Sequence, residues 1–269
     1  MIWGSWKVIA CIGSLSMLLS ADMSGCAKSA STGSNISHVS QISLEELRHQ
    51  AQGITVKVMS TEFLGSGIIL SKNGKVYTVL TNAHVLRVEK PPYRIQTVDG
   101  RIHPANLLPG VRFGKHDLAL LQFQSMNDDY RVAALGYSPV VGDDVFATGF
   151  PFDQEELTAK DFMFTTGKVL LVLQKALDGG YQVGYTNEIA KGMSGGPLLN
   201  RRGEVVGING MHAYPLWDAP SVFIDGLQVD ENLHQRINRL SWAVPMDKVV
   251  QMIPAMSNKA DKRSSDEAR

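Results

Sequence analysis

The sequence predicts an all-β fold of two antiparallel β-barrels, with short helices near the N- and C-terminal ends. Three observations carry this. The chain has 269 residues, 44% hydrophobic and 19% charged, which suits one unit built from paired sub-barrels with an apolar core. Short β-rich runs recur between turn residues at intervals of about 8–12 positions, a pattern of barrels and not of βαβ units. Asn73-Gly74 and Asp99-Gly100 mark hairpins, because both dipeptides tolerate the positive φ of a type I′ turn.

Taken in order, residues 1–26 read as an export signal. Lys7 supplies the positive start, and the apolar run over 8–19 is too short to span a bilayer. Met23-Ser24-Gly25-Cys26 resembles a bacterial lipobox, with Met where Leu is usual. Two readings therefore stand: ordinary cleavage nearby, or a lipid anchor at Cys26, where one acyl chain gives only marginal attachment. Both send the chain to the periplasm or the cell exterior. Residues 27–42 are a Ser-rich flexible leader. Ser43-Leu44-Glu45-Glu46 is a capping box that opens a helix to about residue 52. A domain is expected over 43–256, its first barrel at about 53–130 and its second at about 131–250. Strands are expected at 54–59, 67–70, 76–80, 94–98 and 118–122, then at 144–148, 167–173, 182–185, 197–199, 204–209 and 241–244. Residues 245–256 have helical character, interrupted at Pro254, and the polar stretch 257–269 is expected to be disordered.

Composition excludes several function classes. The only cysteines, Cys11 and Cys26, precede the folded body, so no disulfide staples it. Lys plus Arg balances Asp plus Glu, 26 against 26, which leaves no footprint for nucleic acid and no basic tract for anionic membranes. His-Glu-x-x-His is absent and the cysteines are not spaced as ligands, so neither metal nor cofactor is expected.

Three phrases carry chemistry: Thr81-Asn82-Ala83-His84-Val85, His116-Asp117-Leu118-Ala119-Leu120-Leu121 and Gly192-Met193-Ser194-Gly195-Gly196-Pro197. A serine hydroxyl needs an imidazole to take its proton, and that imidazole works best when a buried carboxylate fixes its tautomer. His84 follows a β-rich run, and Asp117 precedes alternating apolar residues that can draw it beside the core. Ser194 sits in a glycine-dense loop, where the amides of Gly192 and Ser194 are the natural oxyanion donors.

These phrases resemble, in the same chain order, the His, Asp and Ser motifs of chymotrypsin-fold (trypsin-like) serine peptidases. Bacterial HtrA-type protease domains are the nearest in flavour. The likeness runs over about residues 53–250 and includes Gly65-Ser66-Gly67, Thr148-Gly149-Phe150-Pro151-Phe152 and Ala243-Val244-Pro245. It implies two perpendicular antiparallel barrels, with His84 and Asp117 on the first, Ser194 on the second and a cleft between. It also implies a serine endopeptidase acting on polypeptides in exported or misfolded proteins through a covalent acyl-enzyme.

Departures from the family pattern sharpen this. Val85 replaces the cysteine that animal trypsins carry after the histidine. Met193 stands where trypsins place an aspartate that pairs with a new N-terminal ammonium, so activity is expected without such a cut. Too few residues follow Ser241 for the PDZ domain common in HtrA proteins. Glu188, six positions before Ser194, either recognises a basic P1 residue or is a surface carboxylate beside a pocket lined by Ile189. The register of HtrA-type loops favours the second. The strand over 209–212, with Asn209 and Gly210, is expected to offer backbone groups to an extended substrate. An insertion over about 213–239, with Tyr214, Trp217 and Phe223, shapes the rim or makes a packing contact. Gly192-x-Ser194-x-Gly196 also fits the nucleophile elbow of an α/β-hydrolase esterase, and a non-catalytic peptide-binding barrel is a third alternative.

Overall fold

Ser43 opens the first helix, α1 (Leu44–Ile54), by accepting the Glu46 amide on its hydroxyl at 3.1 Å. The capping box is only half made: the Glu46 carboxylate accepts from Gln50, one turn on, at 2.9 Å. Leu47, Ala51 and Ile54 are buried and share one stripe, so packing carries the helix to Ile54, slightly past its expected end. The computed structural model describes residues 42–253 except 88, 127–128, 154, 156–157 and 214–220. The export signal, Cys11, Cys26, nearly all of the leader, Tyr214, Trp217, Pro254 and the polar tail lie outside the described residues.

The first barrel comprises β1 (Thr55–Met59), β2 (Phe63–Asn73), β3 (Val76–Thr81), β4 (Tyr93–Gln96), β5 (Ile102–Leu107) and β6 (Ala119–Gln124). It closes in the order β1-β2-β3-β6-β5-β4, every pair antiparallel. After β7 (Asp144–Gly149) comes a small hairpin of β8 (Phe152–Asp153) and β9 (Thr158–Ala159). The second barrel joins β7 to β10 (Met163–Val172), β11 (Val183–Tyr185), β12 (Pro197–Leu199), β13 (Val205–Met211) and β14 (Ser241–Pro245). The esterase alternative falls here, because two antiparallel barrels are not the α/β sheet that a nucleophile elbow needs.

Strand alternation explains why β2 reads as an unbroken apolar run. Ile69 points into the first barrel with Val79 and Leu121, while Ile68 and Leu70 point out into a second cluster with Leu80, Phe146, Phe150, Leu199 and Trp242. Phe146 likewise faces this shared cluster, whereas its neighbours Val145 and Ala147 fill the second barrel. Both sides of these strands are thus buried, so the two barrels share one apolar layer. Leu47 of α1 joins it with no exposed surface.

Several elements were not legible in advance. In β5 only Ala105 is buried, and Pro104 interrupts the run, so no apolar alternation marks it. The helix α2 (Ala83–Arg87) has five residues, too few to show a 3.6-residue period. Within the insertion, α3 (Glu231–Ile237) is opened by Asp230, which accepts the Leu233 amide at 3.0 Å; α4 (Met246–Met252) matches the expected C-terminal helix. The Asn-Gly hairpin forms one position later than expected. Asn73 is still paired, with Val76, and Gly74 takes the first central position at φ 59°. Leu47→Ala should lower stability by about 2–5 kcal/mol, the usual cost of emptying a packed leucine site. Urea unfolding measures this, and a loss under about 1 kcal/mol would mean that α1 is not part of the core.

Candidate active site

The end of β3 is fixed before the first functional side chain appears. The Thr81 hydroxyl donates to the Ser66 carbonyl at 2.7 Å, and the Asn82 amide donates to the Asp117 carbonyl at 2.8 Å. Both side chains are fully buried. The chain then enters α2, where Val85 packs against Gly65, so closely that a Cβ at 65 would approach it to 2.9 Å. Val85 therefore fills the site with packing where a disulfide would otherwise start.

His84 meets Asp117 twice. Its backbone amide donates to Oδ1 at 2.8 Å, and its ring Nδ1 contacts Oδ2. A carboxylate at Nδ1 holds the proton there and leaves Nε2 as the basic nitrogen. Asp117 is 9% exposed, as its apolar flank suggests. Burial is the largest influence on its carboxyl and would raise the pKa, but the His84 ring, the Tyr181 hydroxyl and the His84 amide together outweigh it, holding the group below its ordinary range. Arg87 lies 3.5 Å from Oδ1 but is mostly in solvent, so it adds little.

Ser194 is held by a loop whose carbonyls are almost all taken. Lys191 O accepts from Phe152 N at 2.7 Å, Gly192 O from the Ser66 hydroxyl at 2.8 Å, and Ser194 O from Ser66 N at 2.9 Å. Met193 O accepts from Gly196 N at 3.1 Å, while Met193 N and Gly195 N are bonded to Ala190 O and Asn209 O. The amides of Gly192 and Ser194 have no partner among the described residues. In a trans peptide N–H and C=O point opposite ways, so the Phe152 bond to Lys191 O turns the Gly192 N–H away from Phe152. Gly192 has φ 95°, and a Cβ there would lie 2.6 Å from both Phe150 O and Phe152 N. Gly195 has φ 84°, and a Cβ there would run into Ser66 O and the Thr81 hydroxyl. The Met193 side chain is fully buried, its sulfur 3.4 Å from the Ala190 amide, so an apolar anchor occupies the place of an activating carboxylate. The Ser194 hydroxyl donates to the Gly210 carbonyl at 3.3 Å.

The remaining expected residues separate. Glu188 is exposed, whereas Ile189 packs partly against the core of the second barrel. Asn209 is buried: its amide nitrogen donates to Thr148 O and Pro197 O, its Oδ1 accepts from Tyr185, and its backbone bonds Gly195 and Gly196. No polar group of Asn209 is left for a substrate. Two participants were missed. Ser66, within the Gly65-Ser66-Gly67 phrase, bonds the Ser194 loop through both its backbone and its side chain. Tyr181 donates to Asp117 Oδ2 at 2.5 Å; only the preceding Gly179-Gly180 pair hinted at a special turn, and nothing local announced so distant a partner.

A family model described as the trypsin-like peptidase domain matches residues 65–208. The chain belongs to this family. It is 36% identical over 149 residues to the periplasmic pH-dependent serine endoprotease DegQ of Escherichia coli, covering 55% of this chain and 31% of that protein. Serine protease HTRA1 of Xenopus laevis is 34% identical over 157 residues, covering 54% and 30%. The chain thus spans about a third of the length of these relatives. Among solved structures, the serine endoprotease of Yersinia pestis aligns with a TM-score of 0.54 at 22% identity, covering 85% of this chain and 68% of the other. That likeness bears on the fold alone.

The depressed Asp117 pKa has a consequence for stability. A carboxyl whose folded pKa lies below its unfolded value of about 3.9 contributes fully above that value. The contribution is lost as pH falls through the folded pKa. Stability measured by urea unfolding should therefore fall less steeply below about pH 4 in Asp117→Asn than in the wild type; equal slopes would show that the carboxylate is not held in its charged form.

Proposed function

We propose that this trypsin-like chain is a serine endopeptidase that cleaves polypeptides in exported or misfolded proteins. His84 is the base, Asp117 its orienting carboxylate and Ser194 the nucleophile, with the amides of Gly192 and Ser194 as oxyanion donors. The observation that carries this reading is the buried Asp117 carboxylate at His84 Nδ1, which leaves Nε2 able to accept a proton. In the proposed reaction Ser194 Oγ turns from the Gly210 carbonyl towards His84 and attacks the substrate carbonyl carbon. Nε2 takes the hydroxyl proton, and the oxyanion sits against the two unbonded amides. His84 then returns the proton to the leaving amine, and water repeats the sequence to free the acyl group from Ser194.

As Ser194 turns, the Gly210 carbonyl is released, and we assign it to the backbone of an extended substrate. Asn209, with every polar group engaged, takes no such role. The exposure of Glu188 supports a surface carboxylate, with Ile189 the residue of the pair nearer the pocket wall. Buried Met193 supports activity without an N-terminal ion pair. DegQ is a periplasmic endoprotease by name, and a DegP-like relative from Hahella chejuensis is named a probable periplasmic one, which supports the exported reading.

A fluorophosphonate probe on the purified chain tests the proposal. Wild type should label, and both Ser194→Ala and His84→Ala should lose labelling; an unlabelled wild type would favour a non-catalytic peptide-binding barrel. Asp117→Asn should stay folded and lose about 10⁴ in kcat on a peptide substrate, as in the well-studied Ser-His-Asp triads. Full activity in that variant would remove Asp117 from the triad.

A further inference from the structure

We propose that Tyr181 is a positioning residue for Asp117, holding the carboxylate from the second barrel while His84 holds it from the first. The inference rests on the peptidase reading above and adds a fourth side chain to it. Asp117 Oδ2 is shared by two donors, the His84 ring and the Tyr181 hydroxyl, the latter at 2.5 Å. Tyr181 is 7% exposed, and its ring is wedged between two glycines. A Cβ at Gly179 would lie 2.8 Å from the ring, and one at Gly210 would lie 2.5 Å from the hydroxyl oxygen. Gly210 is also the residue whose carbonyl holds the Ser194 hydroxyl. One tyrosine therefore touches the carboxylate and abuts the backbone that positions the nucleophile.

The turn that carries Tyr181 is itself clamped. Gly179 O accepts from Asp117 N at 2.8 Å, so main chain and side chain of Asp117 both bond this turn. On its other side the insertion docks: Asp178 N donates to Val222 O at 3.0 Å, and Ile224 N to Ala176 O at 2.9 Å. Lys115, two residues before Asp117, donates to Ile224 O at 3.0 Å. A hydroxyl so fixed selects one carboxylate orientation, and the carboxylate in turn selects the His84 ring orientation. Burial, and then the neighbouring Asp117 charge, push the Tyr181 hydroxyl well above the ordinary tyrosine range, so it remains a donor.

The groups that face Asp117 are His84 and Arg87 from α2 and Tyr181 from the turn. A cavity of about 650 Å³ adjoins it, lined by Arg87, Lys115, His116 and Asp178 among others but not by His84 or Ser194. Without the tyrosine hydroxyl, the imidazole is the one donor left to Oδ2 among the described residues. The carboxylate then becomes a stronger acceptor for His84 and is itself more easily protonated. Both changes move the acid limb of activity to higher pH.

Tyr181→Phe keeps the ring and removes one oxygen. In the full chain, kcat on a peptide substrate should fall roughly tenfold or more, the effect of one hydrogen bond to a charged group. KM should stay within about twofold, and the acid limb of kcat/KM should move up in pH. A merely structural role would not move that limb. Gly210→Ala is a second variant, because its Cβ displaces the hydroxyl without deleting it, and it should move the limb the same way. In the Asp117→Asn background, Tyr181→Phe should add less than about a twofold further loss. An active wild type whose Tyr181→Phe variant keeps its kcat and acid limb overturns the role of Tyr181 alone. So does a full further loss in the Asp117→Asn background. A wild type that neither labels nor cleaves overturns the peptidase reading and this inference with it.

Discussion

A carboxylate buried between two β-barrels is the constraint on which the rest of this structure depends. Asp117, at 9% exposure, must have its charge matched by donors or it would take up a proton. The donors come from both halves of the molecule. The backbone amide and ring of His84 arrive on α2, and the Tyr181 hydroxyl arrives from the turn that precedes β11. The Asp117 amide completes the tie by donating to Gly179. Satisfying one charge thus fixes the imidazole tautomer, the entry angle of α2 and the seating of one barrel against the other.

Ser66 makes a second tie of the same kind on the nucleophile side. From β2 of the first barrel it binds Gly192 O through its hydroxyl and Ser194 O through its amide, and it accepts from Phe150 N. The loop around Ser194 is then shaped by what is already bonded. With Met193, Gly195 and Gly196 amides taken, those of Gly192 and Ser194 are left without a partner among the described residues. Positive φ at Gly192 and Gly195, with no room for a Cβ, makes that geometry available only to glycine. The apolar layer shared by the two barrels, with Phe146, Leu80 and Trp242 in it, supplies the rigid support against which these polar ties are set.

Much of this was legible in the sequence because the responsible signals are local. β-rich runs between turn residues marked the central strands, Ser43 marked the start of α1, and the phrases around His84, Asp117 and Ser194 stood beside apolar runs that could hold them. What escaped was local structure with no period or partners far apart in the chain. The five residues of α2 are too few for a helical pattern, and β5 buries only Ala105. Tyr181 stands just before an expected strand and carries no local signal; its partner is 64 positions away in the chain. Asn209 misled for the opposite reason. Its place on β13 suggested a substrate-facing backbone, but the Ser194 loop folds onto it and takes both its amide and its carbonyl.

The most direct measurement is a crystal structure of the chain after reaction with a small fluorophosphonate. The phosphorus is expected on Ser194 Oγ, with its oxygen accepting from the amides of Gly192 and Ser194. The Gly210 carbonyl should be released, and His84 should still be held through Nδ1 by Asp117, with the Tyr181 hydroxyl still donating to that carboxylate. An adduct on another residue, or one on Ser194 with its oxygen turned away from both amides, would contradict the proposed chemistry.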